Sequence, residues 1–120
     1  MVIGIGTDIC HIERIKKLGP ETVDRILTEP EAAYCGRYTT PHERIAGRFA
    51  AKEAILKALG TGWSGGLGWG QIEILPDASG APVVTLTGAA REKLLSLGAT
   101  RCLVSISHQG EYAVAFAIIE

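Results

Sequence analysis

The chain opens on an apolar run, Val2 to Thr7, in which Gly4 and Gly6 alternate with Ile3 and Ile5. A short apolar run bounded by polar residues reads as a buried strand. Glycines inside a strand signal that another backbone packs close against it. The period then lengthens. Ile12, Ile15 and Leu18 fall on one face of a helix over 11–18, with Gly19-Pro20 as its stop. Two more short helices are expected at 21–28 and 30–37. The clearest helix spans 41–59, PHERIAGRFAAKEAILKAL. Thr40, Pro41 and Glu43 supply an N-cap, a proline at the first helical position and a capping-box partner, and Gly60 supplies the stop. At about 100° per residue, Ile45, Phe49, Leu56 and Leu59 form one apolar stripe. Ala46, Gly47, Ala50, Ala54 and Ala58 form a second face small enough to admit a neighbouring backbone.

A glycine-rich loop, GTGWSGGLGWG, follows that helix with no role evident beyond a mobile rim. Strands QIEIL and PVVTL flank the turn PDASG, and Thr87 caps a helix running to Leu97, with Gly98 beyond it. RCLVSIS and YAVAFAII form two strands joined by a hairpin turn at His108–Glu111. In the last strand Val114, Phe116 and Ile118 face one way and Ala113, Ala115 and Ala117 the other. An all-alanine face is thin cover for a helix, and close packing such as that against another subunit is the expectation. This element order predicts an α+β fold, a largely antiparallel sheet packed against a long helix, as one domain over residues 1–120.

Composition narrows the function. With 12 Lys+Arg against 13 Asp+Glu in 120 residues, the net charge is −1. That argues against a general nucleic-acid binder, and 47% apolar content argues against disorder. The basic groups are not evenly spread: residues 1–60 hold 9 basic and 8 acidic side chains, residues 61–120 hold 3 and 5. Cys10, Cys35 and Cys102 make neither a disulfide framework nor a zinc pattern, which fits a reducing compartment. No basic stretch precedes the first apolar run, Asp8 interrupts it, and no stretch reaches the ~20 apolar residues of a membrane span. A soluble, cytoplasmic protein is expected.

Several residues invite a chemical reading. Asp8 directly follows the first strand, as either a helix N-cap or a carboxylate at a site. Glu53 and Lys57 are spaced i, i+4, which describes a surface ion pair. Glu53 also lies about 40° around the helix from Phe49, on the border of the apolar stripe, where it could look into a cleft. Lys52 falls inside the stripe, either snorkelling along apolar surface or reaching a buried anion. His108 is either an exposed turn residue or a phosphate contact. Two carboxylates with lysines form an oxygen-rich set that suits Mg²⁺ and phosphate. The Rossmann and Walker glycine patterns are absent. Ser105, Ser107 and His108 lack a nucleophile elbow, so a hydrolase triad is not expected.

Three segments together carry a resemblance: GIGTDICHIERI at 4–15, GRFAAKEAILKALGTG at 47–62 and VSISHQGEYAVAFAI at 104–118. They are similar to the holo-[acyl-carrier-protein] synthase family of small bacterial 4′-phosphopantetheinyl transferases, in order and over nearly the whole length. The resemblance implies transfer of the phosphopantetheine arm of coenzyme A to a serine of apo-acyl carrier protein, releasing adenosine 3′,5′-bisphosphate, in support of fatty acid biosynthesis. It implies Mg²⁺ on Asp8 and Glu53, with Lys57 near the reacting phosphate. The serine proton needs an acceptor, for which Glu53 and a metal-bound water are the two candidates. It puts His108 at the coenzyme A site, which the segments holding Arg48, Phe49, Gly60, Thr61 and Gly62 also line. It implies a homotrimer with sites between subunits, and docking of an acidic carrier on the helix after Asp8, through Arg14, Lys17 and, further on, Arg25. Two other classes compete: a non-catalytic coenzyme A-binding module and a Mg²⁺-dependent pyrophosphate hydrolase.

Overall fold

The computed structural model describes all 120 residues. Strand β1 (Gly4–His11) leads into three short helices, α1 (Ile12–Lys16), α2 (Pro20–Ile26) and α3 (Glu29–Cys35), and then the long α4 (Pro41–Leu59). Strands β2 (Ile72–Pro76) and β3 (Pro82–Leu86), helix α5 (Gly88–Ser96), and strands β4 (Cys102–Gln109) and β5 (Tyr112–Ile119) complete the chain. The main sheet has the order β1-β5-β4, and β2-β3 form a separate hairpin; every pairing is antiparallel. The α+β expectation holds.

The register puts Gly4, Gly6, Asp8 and Cys10 on one face of the sheet with Ala113, Ala115, Ala117 and Ile119 of β5. That face lies on α4. A methyl group at Gly6 would overlap the Ala54 carbonyl oxygen, and one at Gly4 the Ala58 carbonyl oxygen. Gly47 is similarly placed against Ile106 and His108 of β4, 3.0 Å from each for an added Cβ. The alanine face of β5 is therefore covered by the small-residue face of α4 within the same chain, correcting the expectation of a second subunit there. A strand of glycine beside a strand of alanine lets helix and sheet approach more closely than larger side chains permit. Gly6→Ala is expected to destabilise by about 1–3 kcal/mol through overpacking. A urea midpoint unchanged from the parent would contradict the close approach.

The opposite sheet face is left apolar and uncovered: Ile5 is 70% exposed, Ile9 61%, Phe116 59% and Leu103 45%. On its other side α4 meets the short helices and β2. There Lys52 is fully buried with Glu31. Its Nζ donates to Glu31 Oε1 (2.7 Å) and to the carbonyls of Ile26 (2.6 Å) and Trp69 (3.1 Å). Glu31 also accepts from the backbone N–H groups of Thr28 (2.8 Å) and Ile74 (2.9 Å). Of the two readings of Lys52, the buried anion is the one observed. Burial pushes the Lys52 ammonium below its ordinary pKa, and Glu31 pulls it back up.

Other local expectations shift. β1 continues to His11, so Asp8 lies within the strand and does not cap α1, whose N-cap is His11. Thr40 and Thr87 make no side-chain caps. The capping box belongs instead to α3, where Thr28 and Glu31 satisfy each other's backbone. The first turn of α5 is served by Gln71, whose Oε1 accepts from Ala90 N at 3.0 Å. The hairpin turn shrinks to Gly110-Glu111, which places His108 inside β4.

Candidate active site

From Ile45 to Leu59, α4 is buried at every position except Glu53 and Lys57. An otherwise enclosed helix thus opens at two charged residues one turn apart, next to the helix-facing side of β1. Lys57 Nζ donates to the Thr7 carbonyl (2.9 Å) and to Asp8 Oδ1 (3.2 Å). The Asp8 side chain is 19% exposed and that of Lys57 55%. The i, i+4 pair read as Glu53–Lys57 is in fact a cross-element pair: Lys57 reaches Asp8. Glu53 takes its hydrogen bond from the Trp63 indole, Nε1 to Oε1 at 3.3 Å. Asp8 and Lys57, 49 positions apart, meet as a pair, and Glu53 lies one helical turn before Lys57 on α4.

Trp63 is a residue that pattern reading missed. The glycine-rich loop is organised by its aromatic rings rather than forming a loose rim. Trp63 packs on Trp69 with centroids 3.9 Å apart, and Trp69 stacks on Phe49 at 5.4 Å. Arg14 lies over the outer side of Phe49, 5.0 Å from its centroid. Phe49 is buried in this column, so its ring serves the wall of the site. The cue was the pairing of two tryptophans with a helix-facing phenylalanine, which no periodic rule reports. After α4, Gly60 adopts φ +75°, turning the chain into Thr61 and Gly62 along the helix end.

The oxygen donors Asp8 and Glu53 are a hard, anionic pair. No group of three or more His, Cys, Asp or Glu side chains is present. Such a set fits Mg²⁺, which is commonly held by one or two carboxylates, with substrate phosphates and water completing the shell. It does not fit a structural zinc.

Elsewhere, a concavity of about 610 Å³ is lined by Tyr34, Tyr38, Arg44, Arg48, the Asp77–Gly80 turn, Ile106 and His108. Arg44 lies over the Tyr38 ring (4.2 Å) and Arg48 over Tyr34 (4.4 Å). Arg48 Nε also donates to the Ile74 carbonyl at 3.3 Å. His108 Nε2 lies 2.8 Å from the Glu43 carbonyl, which requires that nitrogen to carry the proton. Burial holds the Tyr34 phenol above its ordinary pKa, while the hydrogen bond from Tyr34 and that from Arg44 hold Tyr38 below. Arg48 and His108 are thus brought together as expected. Arg44 and the two tyrosines were not anticipated. Arg14, Lys17 and Arg25 are all exposed on α1, its C-cap and α2, and of the three only Arg14 reaches back over Phe49.

Comparison with known proteins agrees with this geometry. Residues 4–117 match the family model described as the 4′-phosphopantetheinyl transferase superfamily. The holo-[acyl-carrier-protein] synthase of Protochlamydia amoebophila is 46% identical, over 98% of either chain. The crystal structure of the synthase from Neisseria meningitidis superposes with a TM-score of 0.88 at 39% identity, covering 100% of this chain and 99% of that one. The Helicobacter pylori synthase, solved in complex with coenzyme A, gives 0.84 at 32% identity, covering 97% and 99%. The fold and the family match define a phosphopantetheinyl transferase. The chain belongs to the holo-[acyl-carrier-protein] synthase family.

Proposed function

We propose that this chain transfers phosphopantetheine from coenzyme A to a serine of apo-acyl carrier protein at the Asp8–Glu53–Lys57 cluster. The observation that carries the reading is the pair of openings in the buried stretch of α4, at Glu53 and at Lys57, whose ammonium pairs with Asp8. In the reaction the serine oxygen bonds to the β-phosphorus of coenzyme A, the P–O bond to the adenosine bisphosphate side breaks, and the serine proton leaves to a base. Such transfers depend on positioning and charge neutralisation more than on covalent help from the protein. Asp8 and Glu53 would hold Mg²⁺, which when bound neutralises pyrophosphate charge. Lys57 donates to developing negative charge on the phosphates, having been held at the Asp8 and Thr7 oxygens beforehand. Glu53 is one of two candidate acceptors for the serine proton, a water being the other. The cleft of Arg44, Arg48 and His108 offers cations and two aromatic faces to the phosphorylated nucleotide half of coenzyme A. The direct test is the mass of apo-acyl carrier protein incubated with coenzyme A and Mg²⁺. A phosphopantetheine gain is expected, and no gain under any divalent metal would defeat the proposal.

The uncovered apolar sheet face supports assembly into a homotrimer, with each nucleotide cleft serving a neighbour's carboxylates. Contiguous apolar surface of this kind marks a protein interface. Phe116→Glu is expected to convert the assembly to monomers in analytical ultracentrifugation and to lower transfer at least about tenfold, since a like-charged ring of carboxylates replaces desolvated apolar contacts. A variant that keeps both size and rate would exclude this face as the interface. The exposed Arg14, Lys17 and Arg25 are proposed to receive the carrier, so transfer is faster at low salt. No helix is long and apolar enough to cross a membrane, and the three free thiols suit a reducing cytoplasm.

A further inference from the structure

We propose that Trp63 is a positioning residue for Glu53, its indole N–H setting the orientation of the carboxylate that receives the metal; this rests on the role given to Glu53 above. The indole is a donor without acceptor capacity. Its bond to Oε1 at 3.3 Å therefore fixes one oxygen and leaves Oε2 and the remaining lone pairs for a cation. The donor is itself braced. Trp63 is stacked on Trp69, and Trp69 on Phe49. The Trp69 carbonyl in turn receives the buried Lys52 ammonium at 3.1 Å. The loop thus returns to α4 at Phe49, Lys52 and Glu53, within about one turn of the helix. Backbone bonds within the loop, Thr61 N to Leu56 O (3.1 Å), Ser64 N to Gly62 O (2.9 Å) and Leu67 N to Ser64 O (3.2 Å), hold the arm in shape. A loop whose only task was to connect α4 to β2 would not need an indole aimed at the carboxylate. Outer partners that orient a metal ligand are worth about 10–100-fold in metal affinity or activity.

Trp63→Phe keeps an aromatic ring for the stack and deletes only the donor. The Mg²⁺ concentration for half-maximal transfer should rise about tenfold, with the KM for carrier protein and the thermal midpoint unmoved. A purely packing role would move the midpoint and leave the metal dependence alone. A second readout avoids turnover: paramagnetic Mn²⁺ should quench tryptophan emission saturably in the parent, more weakly in Trp63→Phe, and not at all in Glu53→Gln. If Trp63→Phe fails to fold, the parent and Glu53→Gln titrations still decide, because an absent or Glu53-independent quench overturns the proposal. Should Glu53→Gln retain metal-dependent transfer, the role of Glu53 itself is wrong. If Glu53→Gln is inactive while Trp63→Phe titrates as the parent does, only the role of Trp63 falls.

Discussion

Asp8→Ala and Glu53→Ala should each reduce transfer to carrier protein by at least about a thousandfold while leaving the fold intact. Removing a single preorganised electrostatic group from an active site costs 10²–10³-fold or about that much, and each of these carboxylates is half of the proposed donor set. Asp8→Ala also releases Lys57, which would keep only the Thr7 carbonyl as a partner. Glu53→Ala leaves the Trp63 indole without its acceptor and removes one candidate proton acceptor as well. Neither change disturbs the interior greatly. Both side chains are partly exposed, and alanine is already the neighbour across the strand at Ala115. The measurement is intact-protein mass of the carrier over time, beside a thermal melt of each variant. Activity within tenfold of the parent in both variants, with melts unchanged, would refute the assigned site.

Lys52→Met should produce the largest loss of stability, about 3–5 kcal/mol, the cost of leaving one buried charge without its partner. Glu31 would remain enclosed with its two backbone donors but no cation, and the carbonyls of Ile26 and Trp69 would lose theirs. Against a typical total of 5–15 kcal/mol, this is enough to leave the variant partly unfolded at assay temperature. Urea titration should show a lower midpoint at constant slope. Adding Glu31→Gln removes the stranded charge and should recover part of the loss. A single-variant shift under about 1 kcal/mol would show that the pair is not the linchpin of the α2, α3 and β2 layer.

These two residues also mark how far pattern reading reaches. Periodicity found α4 to the residue, because thirteen of its side chains obey an inside rule and its ends carry Pro41 and Gly60. The same pattern flagged Lys52 as anomalous but could not name Glu31, since the two meet only through tertiary folding across 21 positions. Gly4 and Gly6 announced a close neighbour, and Ala54 and Ala58 announced another, yet nothing local joined the two announcements. The alanine face of β5 was misassigned for that reason. Hydrophobic bulk is the usual measure of cover, whereas here backbone contact provides it. The caps at Thr40 and Thr87 failed because a competent residue type is not a guarantee of side-chain geometry, and in α5 a distant glutamine took the task. The candidates Asp8, Glu53 and Lys57 stand out in the sequence by position and by family motif; Trp63 and Arg44 do not, being isolated residues without a spacing to betray them.

The glycine-to-helix contact has a metrological consequence. With no side chains between β1 and α4 at Gly4 and Gly6, the spacing of the two backbones that carry Asp8 and Lys57 is set by main chain touching main chain, like the jaws of a calliper. Side-chain repacking at the contact cannot adjust that backbone spacing, and sliding β1 by one residue would turn Asp8 to the opposite face of the sheet altogether. The backbone spacing beneath the proposed site is thus inherited from main-chain dimensions rather than negotiated by packing, and a substitution that adds a single carbon atom at the jaws is expected to shift Asp8 relative to α4.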